Sequence, residues 1–343
     1  MAKRRATLLV GLLLAAVWAG WWLDRYRWSG GFRTVTPHFA GRCRPVEGVP
    51  GPEDLLIDAA SGIAYISSYD RAAAAAGKAV PGAIYAYDLN RADAAPKNLT
   101  PRATPDFRPH GISLYRDASG RAWLHVITHP PAGDAVDLLE IQGGRLAYVR
   151  TIRGPALTSA NDLAAVDRDR FYVTNSRGYA SGVRAWLEAN LRLAWANVVY
   201  YDGSAFTPAL NGIAFPNGID IDRRTGDVYA VSSFDQAIHV YARNATSGAL
   251  TFKRSVKVGT RLDNVNVAED GALWVAGRAQ YFDSPQPSQV VRVTNAASDT
   301  PRVDEVYVND GRELGNASAA AVHGRRLLVG ASRGNRFLDC VME

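Results

Sequence analysis

Residues Asn217 to Ser233 read NGIDIDRRTGDVYAVSS: a polar head, a short apolar strand, a turn, and a second apolar strand. The same plan recurs at Glu53-Asp54, His110-Gly111, Asn161-Asp162, Asp263-Asn264 and Asn316-Ala317. Counted from Glu53, His110, Asn161, Asn217, Asn264 and Asn316, the spacings are 57, 51, 56, 47 and 52 residues. A repeat of about 40–55 residues that supplies paired strands each time predicts an all-β chain, a six-bladed β-propeller. Further alternating runs follow each core, such as Asp137 to Ile141, Val198 to Tyr201, Ile238 to Tyr241 and Val290 to Val293. These fit the third strand of a blade, and Tyr148 to Ile152 fits a fourth.

In a propeller the first strand of every blade lines a central channel, so the six polar heads predict a ring at one mouth. Glu53, His110, Asn161, Asn217, Asp263 or Asn264, and Asn316 would form it. Mixed Asp, Glu and Asn oxygens suit a hard cation that takes six to eight ligands, which points to calcium. The competing reading is that Asn and Asp at strand starts are turn residues. Six of them in register favour the metal. Neighbouring side chains on a strand point opposite ways. Asp54 and Asp162 therefore face away from Glu53 and Asn161, and suit a second, structural ion deeper in the channel. His110 and His129 belong to one repeat, and a histidine pair beside a metal-bound carbonyl would activate water.

Composition narrows the setting. Apolar residues make up 47% and charged residues 21% of 343 residues, with a formal net charge of +6. The basic residues are scattered and no nucleic-acid motif appears, so no nucleic-acid partner is expected. Gly111-Ile-Ser113-Leu-Tyr115 lacks the closing glycine of a serine-hydrolase elbow. At the N-terminus, Lys3, Arg4 and Arg5 precede an uncharged run from Thr7 to Leu23. That pattern is an export signal or a signal anchor. Trp18, Trp21, Trp22, Tyr26 and Trp28 resemble an interfacial aromatic belt, favouring an uncleaved membrane anchor over residues 1–28. The propeller, 29–343, would then lie outside the cytoplasm. Val17-Trp18-Ala19 is the competing cleavage site.

Cys43 and Cys340 are the two cysteines and flank the repeats. In an exported chain they predict a disulfide fastening the last blade to the first, worth over about 4 kcal/mol on the chain-entropy estimate. Two buried free thiols are the alternative. Arg71 to Lys78 is expected to be a loop inside the first blade. Gly182 to Trp195 has helical propensity with apolar Trp186, Leu187, Leu191 and Trp195, and predicts an inserted amphipathic helix on one face, as a lid, a membrane contact or packing.

At these residues the chain resembles the serum paraoxonase/arylesterase family. The matching stretches are Pro52-Glu-Asp-Leu55, Pro109-His-Gly-Ile-Ser113, Thr128-His-Pro130, Asn161-Asp-Leu163, Asn217-Gly-Ile219 and Leu262-Asp-Asn264, in order between the cysteines. The resemblance implies two calcium ions, a disulfide joining the ends, a retained apolar N-terminus, and hydrolysis of lactones and aryl esters. By position, Glu53, Asn161, Asn217, Asp263 and Asn264 would hold the catalytic ion. Asp54, Asp162 and the carbonyl of Ile112 would hold the structural one. His110 would be the general base, assisted by His129, while Asn316 has no ligand role and is placed near substrate. Arg278 departs from the family, whose vertebrate members carry a histidine there, and the loop after Ser68 departs as well. Both lie where a substrate pocket is expected. Two other readings stand beside this one: a sugar lactonase of the gluconolactonase type, and a calcium-plugged propeller that binds without catalysis.

Overall fold

A computed structural model of the chain describes residues 2–78, 80–100, 106–282 and 286–343. Among them, six antiparallel sheets each run outward from an inner strand. The inner strands are Pro52–Asp58, Pro109–Arg116, Ala160–Ala165, Pro216–Ile221, Arg261–Val267 and Ala317–His323, which head blades 1 to 6. Apolar alternation drives this arrangement, because each blade has two faces to bury. One buried apolar cluster fills each gap between neighbouring blades, including the gap between blades 6 and 1. The six-bladed propeller predicted from the repeat is the fold observed.

Closure uses the N-terminal segment. Gly41–Glu47 forms the outer strand of blade 6, paired antiparallel with Arg336–Met342. Cys43 stands opposite Cys340 in that ladder, and the two are joined as a disulfide. His38–Phe39 adds a fifth strand to blade 5.

Helix α1 spans Ala2–Trp28. Leu8, Leu9, Leu12, Leu13 and Trp18 are exposed, and the segment Thr7–Trp28 is long and apolar enough to cross a membrane. Its last turns touch the propeller: Trp28 Nε1 donates to the Phe234 carbonyl at 3.0 Å, and Gln236 Nε2 donates to the Trp28 carbonyl at 2.6 Å.

Two local expectations change. The segment after Tyr69 is not all loop: α2, Arg71–Ala75, forms there because Asp70 caps it, Oδ1 accepting from the Ala73 N–H at 2.9 Å. The inserted helix, α3, ends at Leu191 instead of reaching Trp195. Arg192 turns left-handed (φ 55°) and its N–H closes on the Glu188 carbonyl. The face of α3 that turns inward carries Glu188, whose carboxylate accepts from the N–H groups of Gly178 and Tyr179. Its apolar residues Val183, Trp186 and Leu191 stay exposed.

Candidate active site at the channel mouth

Every inner strand loses its pairing register at its head. The shifts fall at Pro52/Asp54, Pro109/Ile112, Ala160/Leu163, Pro216/Ile219, Leu262/Val265 and Ala317/Ala319. A bulge frees one or two residues from the ladder and re-aims their side chains. The freed residues are Glu53, His110-Gly111, Asn161-Asp162, Asn217-Gly218, Asp263-Asn264 and Ser318. Five of these are the predicted heads. The sixth corrects the register: Ser318, not Asn316, completes the ring, and its Oγ donates to the Glu53 carbonyl at 2.5 Å. Asn316 stands one residue before the paired strand, in register with Phe215 and Gly51. All three share a left-handed backbone, with φ of 62°, 50° and 53°.

Two glycines let the inner strands meet. A Cβ on Gly111 would lie 2.7 Å from the Asn161 carbonyl oxygen, and one on Gly218 would lie 2.5 Å from the Val265 nitrogen. This close approach sets Asn161 beside His110 and Asn264 beside Asn217. Asn217 Nδ2 donates to Asp263 Oδ1 at 2.5 Å, and Asn264 Nδ2 lies 3.4 Å from Glu53 Oε1. Four buried oxygens here have no hydrogen-bond partner: Glu53 Oε2 and the Oδ1 atoms of Asn161, Asn217 and Asn264. An unpaired buried oxygen costs roughly 1–3 kcal/mol, and four at one mouth fit ligands awaiting a hard cation. Among the described residues, no three His, Cys, Asp or Glu side chains cluster as a metal site by themselves. The donors here are mostly amide oxygens.

Below the ring, Asp54 bridges blades 1 and 2, accepting from the N–H of Leu55 at 2.8 Å and of Ile112 at 2.7 Å. Asp162 repeats the device from blade 3 to blade 4, accepting from Leu163 and Ile219, both at 2.8 Å. Burial, together with the charge of Glu53 on Asp54 and of Asp54 on Asp162, pushes both carboxyls well above the usual range. A cation between them would relieve that strain. The sequence alone does not point to Asp220, which stitches blade 4 to blade 5 through the Ile221 and Val267 N–H groups. With Asp54 and Asp162 it lines a cavity of about 270 Å³ that reaches the opposite end of the channel.

The two histidines meet as expected. His110 Nδ1 lies 2.8 Å from His129 Nε2, and His129 Nδ1 lies 2.7 Å from Asp134 Oδ1. Sequence patterning missed Asp134, which extends the pair into a hydrogen-bonded chain; only its place five residues on, across a hairpin loop, hints at it. Its other oxygen accepts from the Ala160 N–H at 2.7 Å, which holds the carboxylate still. An ionised Asp134 keeps the proton on His129 Nδ1, so Nε2 accepts from His110 Nδ1–H. His110 Nε2, 3.3 Å from Glu53 Oε2, is then the ring nitrogen left to take up a proton, which that carboxylate would hold. Burial pulls the His110 pKa down, against the pull of Glu53, so the ring is a neutral base near pH 7. For Glu53, burial opposes ionisation, but His110, Arg71 and Arg278 outweigh it and bring its pKa to about 2.

Arg278, at the departing position, sits 3.0 Å from Asp263 Oδ2 and donates to Ser332 Oγ at 3.1 Å. Arg71, from α2, stands 3.9 Å from Glu53 Oε2. Both departures seen in the sequence thus deliver a guanidinium to the ring.

Known proteins resemble this chain in sequence and in fold. A family model described as Arylesterase matches residues 40–341. The serum paraoxonase/arylesterase 1 of Mus musculus is 33% identical over 359 residues, covering 96% of this chain and 97% of that protein. The serum paraoxonase/arylesterase 2 of Gallus gallus is 32% identical over 346 residues, again covering 96% and 97%. Among solved structures, a gluconolactonase from Xanthomonas campestris superposes with a TM-score of 0.55 at 16% identity, covering 91% of this chain and 99% of its own. A calcium-binding regucalcin from Agrobacterium tumefaciens gives 0.51 at 14%, covering 89% and 96%. At that identity the two structures share the fold with this chain.

Proposed function

This chain belongs to the arylesterase family, and on that footing we propose that it hydrolyses lactones and aryl esters with calcium at the channel mouth. The observation that carries the proposal is the juxtaposition of four unpartnered buried oxygens with the His110–His129–Asp134 chain. Glu53, Asn161, Asn217, Asp263 and Asn264 would hold one ion; Asp54, Asp162 and the carbonyl of Ile112 would hold a second. When bound, the first ion supplies Lewis acidity toward the ester carbonyl and the charge that develops on its oxygen.

The protein's own groups do the rest. His110 Nε2 takes a proton from a water at the mouth as the water oxygen bonds to the carbonyl carbon. Asp134 keeps His129 oriented, and His129 shares the positive charge that His110 gains. The acyl–oxygen bond then breaks and the departing alkoxide or phenoxide regains the proton, leaving an acid and an alcohol. A lactone gives both on one molecule. A binding-only propeller has no use for a carboxylate–histidine–histidine relay beside its ring.

α1 supports a matching proposal for location. Thr7–Trp28, at about 1.5 Å per residue, would cross the roughly 30 Å apolar core of a bilayer. Because its last turn docks at the mouth, an anchored chain would hold that mouth toward the lipid surface, outside the cytoplasm. The test of function is a panel of an acyl-homoserine lactone, phenyl acetate and gluconolactone, each with and without calcium. Turnover of the first two that depends on calcium supports the reading. Turnover of gluconolactone alone would make it a sugar lactonase, and turnover of none would defeat the hydrolase assignment.

A further inference from the structure

Beside the ring lies a second cavity of about 180 Å³, roofed by the end of α1 and by α3. It lies next to the ring: Arg261 and Phe215 line it, and they stand two residues before Asp263 and Asn217 in the chain. Its volume is close to the roughly 150 Å³ of an engineered cavity that takes up benzene. Four of its lining residues are aromatic, Trp28, Phe215, Phe234 and Tyr281.

Cationic groups are stacked among these rings. Arg25, Arg177, Arg192 and Arg261 all reach the cavity, against one acid, Glu188. That acid is already engaged, since both its oxygens accept from backbone N–H groups. Arg192 pairs with Asp24, and its buried Nη1 still lacks a partner. Arg25 contacts Asn190 and lies 4.9 Å over Trp21. The Arg261 guanidinium lies 4.0 Å over the Tyr281 ring and 5.7 Å from that of Phe215. Among the described residues, none of Arg25, Arg177 and Arg261 has a carboxylate within ion-pair distance. Arg71 Nη1 and Arg278 Nε, at the ring itself, are also buried and unpartnered. Guanidinium groups that are desolvated and unpaired bind carboxylates well, because their forked donors match two oxygens.

We propose that this cavity is a specificity pocket for anionic substrates: esters or lactones whose remote end carries a carboxylate, with the aromatic residues taking the chain between. The proposal rests on the hydrolase reading for its reaction, but not for its binding. Arg261 is the specificity-determining residue, with Arg177 at the rim.

The test uses the full-length, calcium-loaded protein and two substrates of equal length, mono-(4-nitrophenyl) adipate and 4-nitrophenyl hexanoate. The anionic ester is expected to have a kcat/KM at least tenfold above the neutral one at low salt. Added sodium chloride should shrink that ratio, since exposed charges are screened. Calorimetry supplies a readout independent of turnover: adipate should bind at one site, and 1,6-hexanediol should not. Arg261→Gln should weaken adipate binding and cut the anionic-to-neutral ratio by tenfold or more. Arg177→Ala, at an exposed residue, should lower both in the same direction if the first variant does not fold. A neutral ester preferred over the anionic one, or adipate binding unchanged in both variants, overturns the proposal and leaves the hydrolase intact. If neither ester turns over, the hydrolase reading fails, and the adipate titrations alone decide the pocket.

Discussion

His110 shows how one residue's chemistry depends on a chain of neighbours. Asp134 fixes the proton on His129, His129 fixes the one on His110, and burial keeps His110 neutral below its ordinary titration. The sign of the pH effect follows. The base proposed at His110 works unprotonated, and its pKa is lowered here, so kcat/KM should be flat at neutral pH and fall only as pH drops through a value below 6.5. An inflection above 6.5 in the pH–rate profile would contradict the burial argument. His110→Gln should cut kcat/KM about a hundredfold or more, measured with phenyl acetate. Asp134→Asn should give a smaller loss, in kcat more than KM, because it frees the His129 tautomer. The histidines were legible as a pair because they head and close one repeat. Asp134 was not: a carboxylate in a hairpin loop looks like any solvated turn residue until the fold turns it back on His129.

The element that builds the site is the bulged head of each inner strand. It takes the polar residues out of the ladder, and Gly111 and Gly218 then let adjacent heads touch. Gly218→Ala would drive a Cβ to within 2.6 Å of the Asn264 Cα. Overpacking of this kind costs about 1–3 kcal/mol, so a denaturant melt should show that loss. Calcium titration should show weaker binding, because Asn264 is pushed from the ring. A variant with unchanged stability and affinity would show that the close approach is not required. The repeat spacing revealed five of the six heads. It failed at the sixth because Asn316 mimics a head in sequence while a left-handed residue and a one-residue bulge advance the ring to Ser318. The end of α3 is hidden from the sequence in the same way, since Ala194 and Trp195 continue the apolar pattern after the backbone has already turned at Arg192.

As a whole molecule the chain is a ring closed by a strand from its N-terminus and by Cys43–Cys340, 297 residues apart. Replacing both cysteines by serine should lower the melting temperature, with a loss on the order of 2–5 kcal/mol. An unchanged melt would mean that the paired strands alone hold the ring shut. The fold was largely legible because a propeller repeats its pattern in the chain. The cationic pocket was not, because α1, α3 and two blades assemble it from residues far apart in sequence. The central claim is that the ring of unpartnered oxygens and the histidine relay act as one calcium-dependent hydrolytic site. Its most direct test is to strip the protein with a chelator and titrate calcium back, following binding by calorimetry and phenyl acetate hydrolysis in parallel. The account predicts loss of hydrolysis on stripping and its return in step with occupancy of one site, with Asp263→Asn abolishing both. Full hydrolysis by the calcium-free protein would contradict it.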